Sequence, residues 1–357
     1  MVKHIIPKPP NSLKIFNSVP GINPIYLLKS SNQELDLFLK SQKNIFWFGY
    51  GRNTVEYILR LLSLRSGTEI LFPYYSCNVL LPLFFRYGLK VRFYQVNEQL
   101  QPDIEQMQAN TSNHTRILLI VNYFGFPQDY SVIKNFCSNH NLIFLEDNAG
   151  GFGSSINGKL LGSFGDISFT CVRKTLPLTN GSYLEINNKS ILEKTHLNEL
   201  SLFKEKKELY RLAVLFYRWF LNKSNLLMKR REYINPQYYL SEDELRNYDY
   251  NLYKFSLLSN YLIRRLDLFR IKQHRRKQYK AWQDWLQQFP DIKPIFSKLP
   301  EGTNPQCYPV YTEKRNEWLK WGSQHGVDVC PWPSLSREQQ SKETLALWKK
   351  TCCFPIS

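Results

Sequence analysis

Two short apolar runs in the middle of this 357-residue chain each end in residues able to do chemistry. Leu142 to Leu145 has the length of a buried strand and leads into Glu146-Asp147. Ile167 to Val172 is a second run, and it ends at Arg173-Lys174. A carboxylate leaving one strand and a lysine leaving the next can face a common crevice outside the strand ends, where open α/β sheets bind ligands. One chemistry that needs such a pair is that of pyridoxal phosphate. The lysine holds the aldehyde as an imine, and the carboxylate keeps the ring nitrogen protonated so that the ring accepts electrons. Lys174 and Asp147 are the expected catalytic residues. Glu146 and Asp166 are competing carboxylates, with Asp166 expected to end a turn, and aspartates after strands also cap turns.

The surrounding pattern supplies the elements that position this pair. Phe46-Trp-Phe-Gly-Tyr-Gly-Arg-Asn-Thr54 precedes Val55, Ile58, Leu59 and Leu62 at helical spacing. A glycine turn opening a helix presents backbone N–H groups and a positive dipole end, a natural cradle for phosphate, and taken alone it reads equally as an ordinary helix start. Thr68 to Phe72, Lys90 to Tyr94 and Arg116 to Val121 read as strands; Ile104 to Met107 and Tyr130 to Asn139 read as helices. Strands alternating with helices predict a mainly parallel sheet with helices on both faces. Right-handed crossovers then gather the strand ends carrying Asn122, Asp147 and Lys174.

The first 45 residues look irregular and then helical from Asn32 to Lys40. Residues 189–235 read as helical and basic, closing at Lys229-Arg-Arg231, with an apolar face for packing or for a membrane surface. Asp249 to Tyr279 reads as one long helix. A helix over Ala281 to Gln288, a strand over Cys307 to Tyr311 and a helix over Arg315 to His325 follow. The expected division is an N-terminal segment (1–45), a large cofactor-binding domain (46–240), and a linking helix with a small domain (241–357).

Composition narrows the class. Hydrophobic content of 43% with 22% charged residues is ordinary for a globular chain, but the net charge of +17 is not. It suits anionic partners: a phosphorylated cofactor, a nucleotide-linked sugar, nucleic acid or an anionic membrane. The seven cysteines include no CxxC pair and read as free thiols in a reducing compartment. The N-terminus lacks the apolar core of a signal peptide, and no apolar run is long enough to cross a membrane, so the expected location is cytoplasmic. The histidines stand singly, without metal-ligand spacing, and no metal site is expected. Walker, dinucleotide and Gly-x-Ser-x-Gly signatures are absent, and no base-stacking motif accompanies the basic residues.

Val121-Asn-Tyr-Phe-Gly125, Glu146-Asp-Asn-Ala149, Gly162-Ser-Phe-Gly-Asp166 and Arg173-Lys-Thr-Leu-Pro177, with Gly181 beyond, occur in an order and spacing that resemble the DegT/DnrJ/EryC1/StrS family of sugar aminotransferases. The resemblance implies the three-layer α/β/α fold of type I pyridoxal-phosphate transferases, a mainly parallel central sheet and a smaller C-terminal α+β domain. It implies Lys174 as the Schiff-base lysine and Asp147 as the pyridinium partner. The helix start at Gly51, Arg52 and Asn53 would hold the phosphate, and Tyr75 would cover a face of the ring, with Cys77 second to it. Asn148 would support the ring or its hydroxyl. Cys171 stands where relatives carry a phosphate-binding serine, a part that Ser168 can take over.

The implied activity is transfer of an amino group from an amino acid such as glutamate to a keto-sugar, nucleotide-linked, by a homodimer. Gly150 departs from the His or Gln of the family and offers no side chain, leaving Asn122, Asn148 or water to compensate. Ser182 replaces the second glycine of a Gly-Gly pair, Asn251 is one residue out of place, and the chain is expected to end early. These departures favour a second reading, a non-catalytic or regulatory relative that keeps the fold. A sugar dehydratase is a further alternative, but in that class a histidine replaces the lysine.

Overall fold

The computed structural model describes residues 6–10, 13, 20–30, 44–195, 204, 206–224 and 250–356. The expected helix over Asn32 to Lys40 and the run Lys229-Arg-Arg231 lie outside them. The order begins β1 (Ile45–Phe48), α1 (Gly51–Leu62), β2 (Glu69–Pro73), α2 (Leu81–Arg86), β3 (Lys90–Tyr94), α3 (Ile104–Ala109), β4 (Thr115–Val121) and α4 (Tyr130–His140). It continues with β5 (Ile143–Asp147), the small hairpin β6 (Ser155–Ile156) and β7 (Lys159–Leu160), β8 (Ile167–Thr170) and β9 (Ser182–Ile186). Seven of these strands form one sheet in the order β1-β9-β8-β5-β4-β2-β3. The pairs from β3 to β8 are parallel, and the β8/β9 and β9/β1 pairs are antiparallel. The fold is therefore mixed α/β with a mainly parallel central sheet.

β4 explains why the sheet centre is so continuous in sequence. Ile117 to Val121 are all buried, as a parallel strand covered on both faces requires. Strand ends follow the sequence reading to within a residue or two, with one instructive shift. The run Ile167 to Val172 is strand only to Thr170; a single 3-10 turn over Val172–Lys174 then carries the lysine away from the sheet.

The rest of the order is α5 (Lys189–Leu192), α6 (Glu208–Ser224), α7 (Leu257–Ile263), α8 (Leu268–Leu286), β10 (Lys293–Pro294), β11 (Tyr308–Tyr311), α9 (Arg315–His325), α10 (Lys342–Lys350) and β12 (Thr351–Phe354). On α6, Leu215 is buried against Val172, Leu176 and Leu262, whereas Leu209 and Phe220 stay exposed. The single long helix expected from Asp249 is two helices. Ser256 Oγ accepts the Ser259 N–H and Asp267 Oδ1 accepts the Arg270 N–H, so each begins a fresh helix by satisfying first-turn donors. α8 then runs through the separate helix expected at Ala281. β10, β11 and β12 make a second, three-stranded antiparallel sheet. Trp282 of α8 and Trp318 of α9 close on Phe354 with ring centroids 4.9 and 5.6 Å away.

One buried carboxylate ties the central strands to the glycine-rich passage between β5 and β8. Glu146 is fully buried and accepts N–H groups from Gly162, Phe164 and Gly165 at 2.7, 2.9 and 2.9 Å, and from Asn122 Nδ2 at 2.8 Å. Asp166 ends its turn as expected, accepting from Phe144 N–H and Asn188 Nδ2. Glu146→Gln would turn an amide N–H toward donors and is expected to cost about 3 kcal/mol. Denaturant unfolding measures this, and an unchanged midpoint would remove the carboxylate from the role given to it.

Candidate active site

The candidate site is assembled from the ends of β5 and β8 and the start of α1, which Cys171 Sγ meets at Gly51. Successive residues of a strand point to opposite faces, so Glu146 turns into the sheet network while Asp147 turns away from it. Asp147 is half-buried, and its Oδ1 accepts the Ala149 N–H at 2.9 Å. Burial raises its carboxyl from 3.8 to about 6; the Lys174 ammonium and the Ala149 N–H pull it back down, and Glu146 pushes it up. Lys174 and Asp147 are thus electrostatic neighbours, as the strand ends predicted.

Cys171 belongs to the same group. Burial raises its thiol, Asp147 adds to the rise, and Lys174 and Arg173 oppose it. Its Sγ lies against the first residue of α1: a Cβ on Gly51 would sit 2.3 Å from that sulfur. Glycine is therefore required at 51 for the close approach, whatever its value at a helix start. Ser182 Oγ accepts from Thr54 Oγ1 at 2.9 Å and donates to Thr170 O at 2.8 Å, so the residue replacing a second glycine pins α1 to β8 and β9. Beside the helix start, the guanidinium carbons of Arg52, Arg173 and Arg211 lie 5.0, 5.3 and 5.1 Å from the Tyr50 ring centroid. Asn53 Nδ2 donates to Asn251 O, and its Oδ1 is buried without a hydrogen-bond partner among the described residues.

Other expected residues stand elsewhere. Asn122 and Asn148 are buried beneath the crevice: Asn122 Nδ2 donates to Glu146 and Asn148, Tyr130 donates to Asn122 Oδ1, and Asn148 Nδ2 donates to Leu161 O and Thr170 Oγ1. Ser168 is buried two residues from Thr170 on the strand face toward Gly162, while Phe169 and Cys171 face Gly51. Its Oγ has no hydrogen-bond partner among the described residues. Tyr75 lies in the core; its hydroxyl donates to Trp332 O at 2.9 Å and meets Thr351 Oγ1 at 2.5 Å, linking the central sheet to the end of the chain. Cys77 is half-exposed and precedes a 3-10 turn. All seven cysteines are free thiols. Among the described residues no cluster of His, Cys, Asp or Glu could hold a metal, and no helix is long and apolar enough to cross a membrane.

Comparison with known proteins bears on this arrangement. Residues 33–206, which contain Gly51, Asp147, Cys171 and Lys174, match the DegT/DnrJ/EryC1/StrS aminotransferase family. That stretch, just under half of the chain, is the part that is similar to the family. A GDP-4-keto-6-deoxy-D-mannose 3-dehydratase of Escherichia coli O55:H7 is 32% identical over 103 residues, 29% of this chain and 26% of that protein. A GDP-perosamine synthase of Vibrio cholerae is 26% identical over 136 residues, 37% of each chain. The matches thus span between a quarter and two-fifths of these relatives' lengths. The fold is shared more widely. The aminotransferase TlmJ from Streptoalloteichus hindustanus superposes with a TM-score of 0.66 at 14% identity, over 96% of this chain and 93% of that one. The pyridoxal-phosphate form of a sugar aminotransferase from Streptococcus pneumoniae gives 0.64 at 14% identity, over 98% and 93%.

Two outcomes follow from this geometry. Gly51→Ala forces a methyl into Cys171 Sγ and is expected to destabilise by about 1–3 kcal/mol. Adding Cys171→Ala should recover most of that loss; additive losses in thermal unfolding would show that the contact is not what selects glycine. For Asp147, the raised carboxyl means that its neutral form is favoured by folding. That contribution is present below 3.8 and lost as pH rises through about 6. Asp147→Asn should therefore gain on the ligand-free parent by on the order of 2 kcal/mol between pH 4 and pH 7. Denaturant midpoints across that range test it, and a parent that gains on the variant overturns the assignment.

Proposed function

We propose that this chain is a pyridoxal-phosphate-dependent aminotransferase acting on a keto-sugar, nucleotide-linked, with an amino acid such as glutamate as donor. The observation that carries the reading is the coupling of the Asp147 carboxyl to Lys174 at adjacent strand ends. The residues fit the cofactor. A half-buried carboxyl suits a protonated ring nitrogen, an amine stands beside it, and a helix start flanked by Arg52 and Arg173 suits a phosphate.

Bound pyridoxal phosphate would supply an electron sink for the amino donor's α-carbon. Asp147 would hold the proton on the ring nitrogen, and a positive ring beside it would restore its anionic form. Lys174 Nζ would carry the cofactor's aldehyde and, once displaced by the donor amine, take a proton from one carbon and return it at another. The first-turn amides of α1, with Arg52, would orient the phosphate, and Cys171 would fix how closely the strand end approaches that turn. The positive charge of the chain suits a diphosphate-linked substrate. The family reading brings with it a homodimer. A retained lysine at 174 favours amino transfer over the dehydration named for one relative.

The test is direct. Protein incubated with pyridoxal phosphate, reduced with borohydride and mapped by mass spectrometry should carry the label on Lys174, and Lys174→Ala should carry none there. Glutamate added before reduction should suppress the label. A folded wild-type protein that takes no label at Lys174 sinks the enzyme reading and leaves the non-catalytic relative standing.

A further inference from the structure

Gly150 lies three residues beyond Asp147, in the turn whose Ala149 N–H binds the Asp147 carboxylate and whose Gly151 N–H returns to Asn148 O. Its backbone lies outside the left-handed region, so conformation does not demand glycine there. Space does. A Cβ on residue 150 would lie 2.3 Å from Gln306 Oε1 and 3.3 Å from its Cδ. The carboxamide of a residue far along the chain fills the place where a side chain on residue 150 would begin.

Gln306 is held for this by its backbone. Its N–H donates to Phe124 O at 2.8 Å, and its carbonyl accepts Arg275 Nη2 at 2.9 Å while Arg275 Nε takes Pro305 O at 3.0 Å. Arg276 binds Pro300 O and Thr303 O, and Lys272 bridges Gly302 O to Gly153 O. Asn304 adds hydrogen bonds to Ser154 and Phe152. Three cations of α8 thus fasten residues 300–306 against the glycine-rich passage. Gln306 is half-exposed, and its carboxamide makes no hydrogen bond among the described residues, which leaves its donors and acceptor for a ligand.

We infer that Gln306 supplies the crevice side chain that position 150 lacks, and that its carboxamide hydrogen-bonds the cofactor or substrate held beside Asp147. The inference rests on the pyridoxal-phosphate reading above. It makes Gly150 and Gln306 one unit contributed by two distant segments. A methyl at 150 meets only the mobile end of Gln306, so it would displace the carboxamide at little structural cost.

The experiment titrates pyridoxal phosphate into the full chain and follows the absorbance of the bound form against pH. Wild type, Gln306→Ala, Gly150→Ala and the double variant Gly150→Gln/Gln306→Ala are compared, with thermal unfolding of each ligand-free protein alongside. Gln306→Ala and Gly150→Ala should each weaken binding by about three- to tenfold, the effect of one lost hydrogen bond. Both should shift the pH midpoint of the bound form in the same direction and leave the unfolding temperature nearly unchanged. The double variant, which returns a carboxamide from position 150, should recover part of the shift. Wild-type labelling at Lys174 with unchanged affinity and midpoint in Gln306→Ala overturns this inference alone, as does a fall in unfolding temperature with no spectral shift. Absence of labelling in wild type overturns the cofactor reading and the role of Gln306 with it.

Discussion

A carboxylate with no exposed surface has to be compensated where it lies, and Glu146 is compensated by N–H donors. Three of the donors belong to the passage between β5 and β8, a stretch of little regular structure. The fourth, Asn122, is oriented in turn by the Tyr130 hydroxyl and passes a second hydrogen bond to Asn148. Desolvating an anion is costly, and its four charge-assisted bonds offset that cost only with the passage in one conformation. The network therefore acts as a determinant of geometry. It fixes where β5 ends, and so where Asp147 begins its turn.

Adjacent acids then do different work because a strand alternates its faces. Glu146 is saturated by backbone and amide donors inside the molecule, whereas Asp147 reaches the crevice with one backbone donor and Lys174 as its electrostatic neighbour. Its raised carboxyl records incomplete compensation, the condition under which a cationic ligand gains most by binding. At the other end of the crevice the sign reverses. The α1 start, Arg52, Arg173 and Arg211 concentrate positive charge around Tyr50. A ligand with a basic ring at one end and a phosphate at the other matches that polarity.

A second constraint joins the central sheet to the end of the chain. α8 spends Lys272, Arg275 and Arg276 on carbonyl oxygens of residues 153 and 300–306. Tyr75 reaches Trp332 and Thr351 from the other side. Cations bonded to carbonyls in this number are a cross-brace between segments that neither sheet would align. The brace brings Gln306 to Gly150 and accounts for a glycine that backbone conformation leaves unexplained.

The sequence by itself pointed to the mainly parallel sheet, since runs such as Ile117 to Val121 alternate with helical patterns and a strand buried on both faces suits the interior of such a sheet. It also placed Asp147 and Lys174 just beyond two successive apolar runs, whereas the pairing of β5 with β8, across a passage with no helix, was left to the tertiary structure. It placed the start of α1 at Gly51 from the spacing of Val55, Ile58 and Leu59. Only the tertiary structure decided which polar residues face the crevice. Asn122, Asn148 and Ser168 carry suitable groups near the right strand ends, yet the passage over β5 and β8 draws them into its own network or onto its own face. The resemblance implies Tyr75 at a face of the ring, but its hydroxyl meets partners more than two hundred residues away. Gln306 carried no local signal at all. Its place beside Gly150 depends on long-range hydrogen bonds from α8, and periodicity and spacing record only what neighbours in sequence impose on one another.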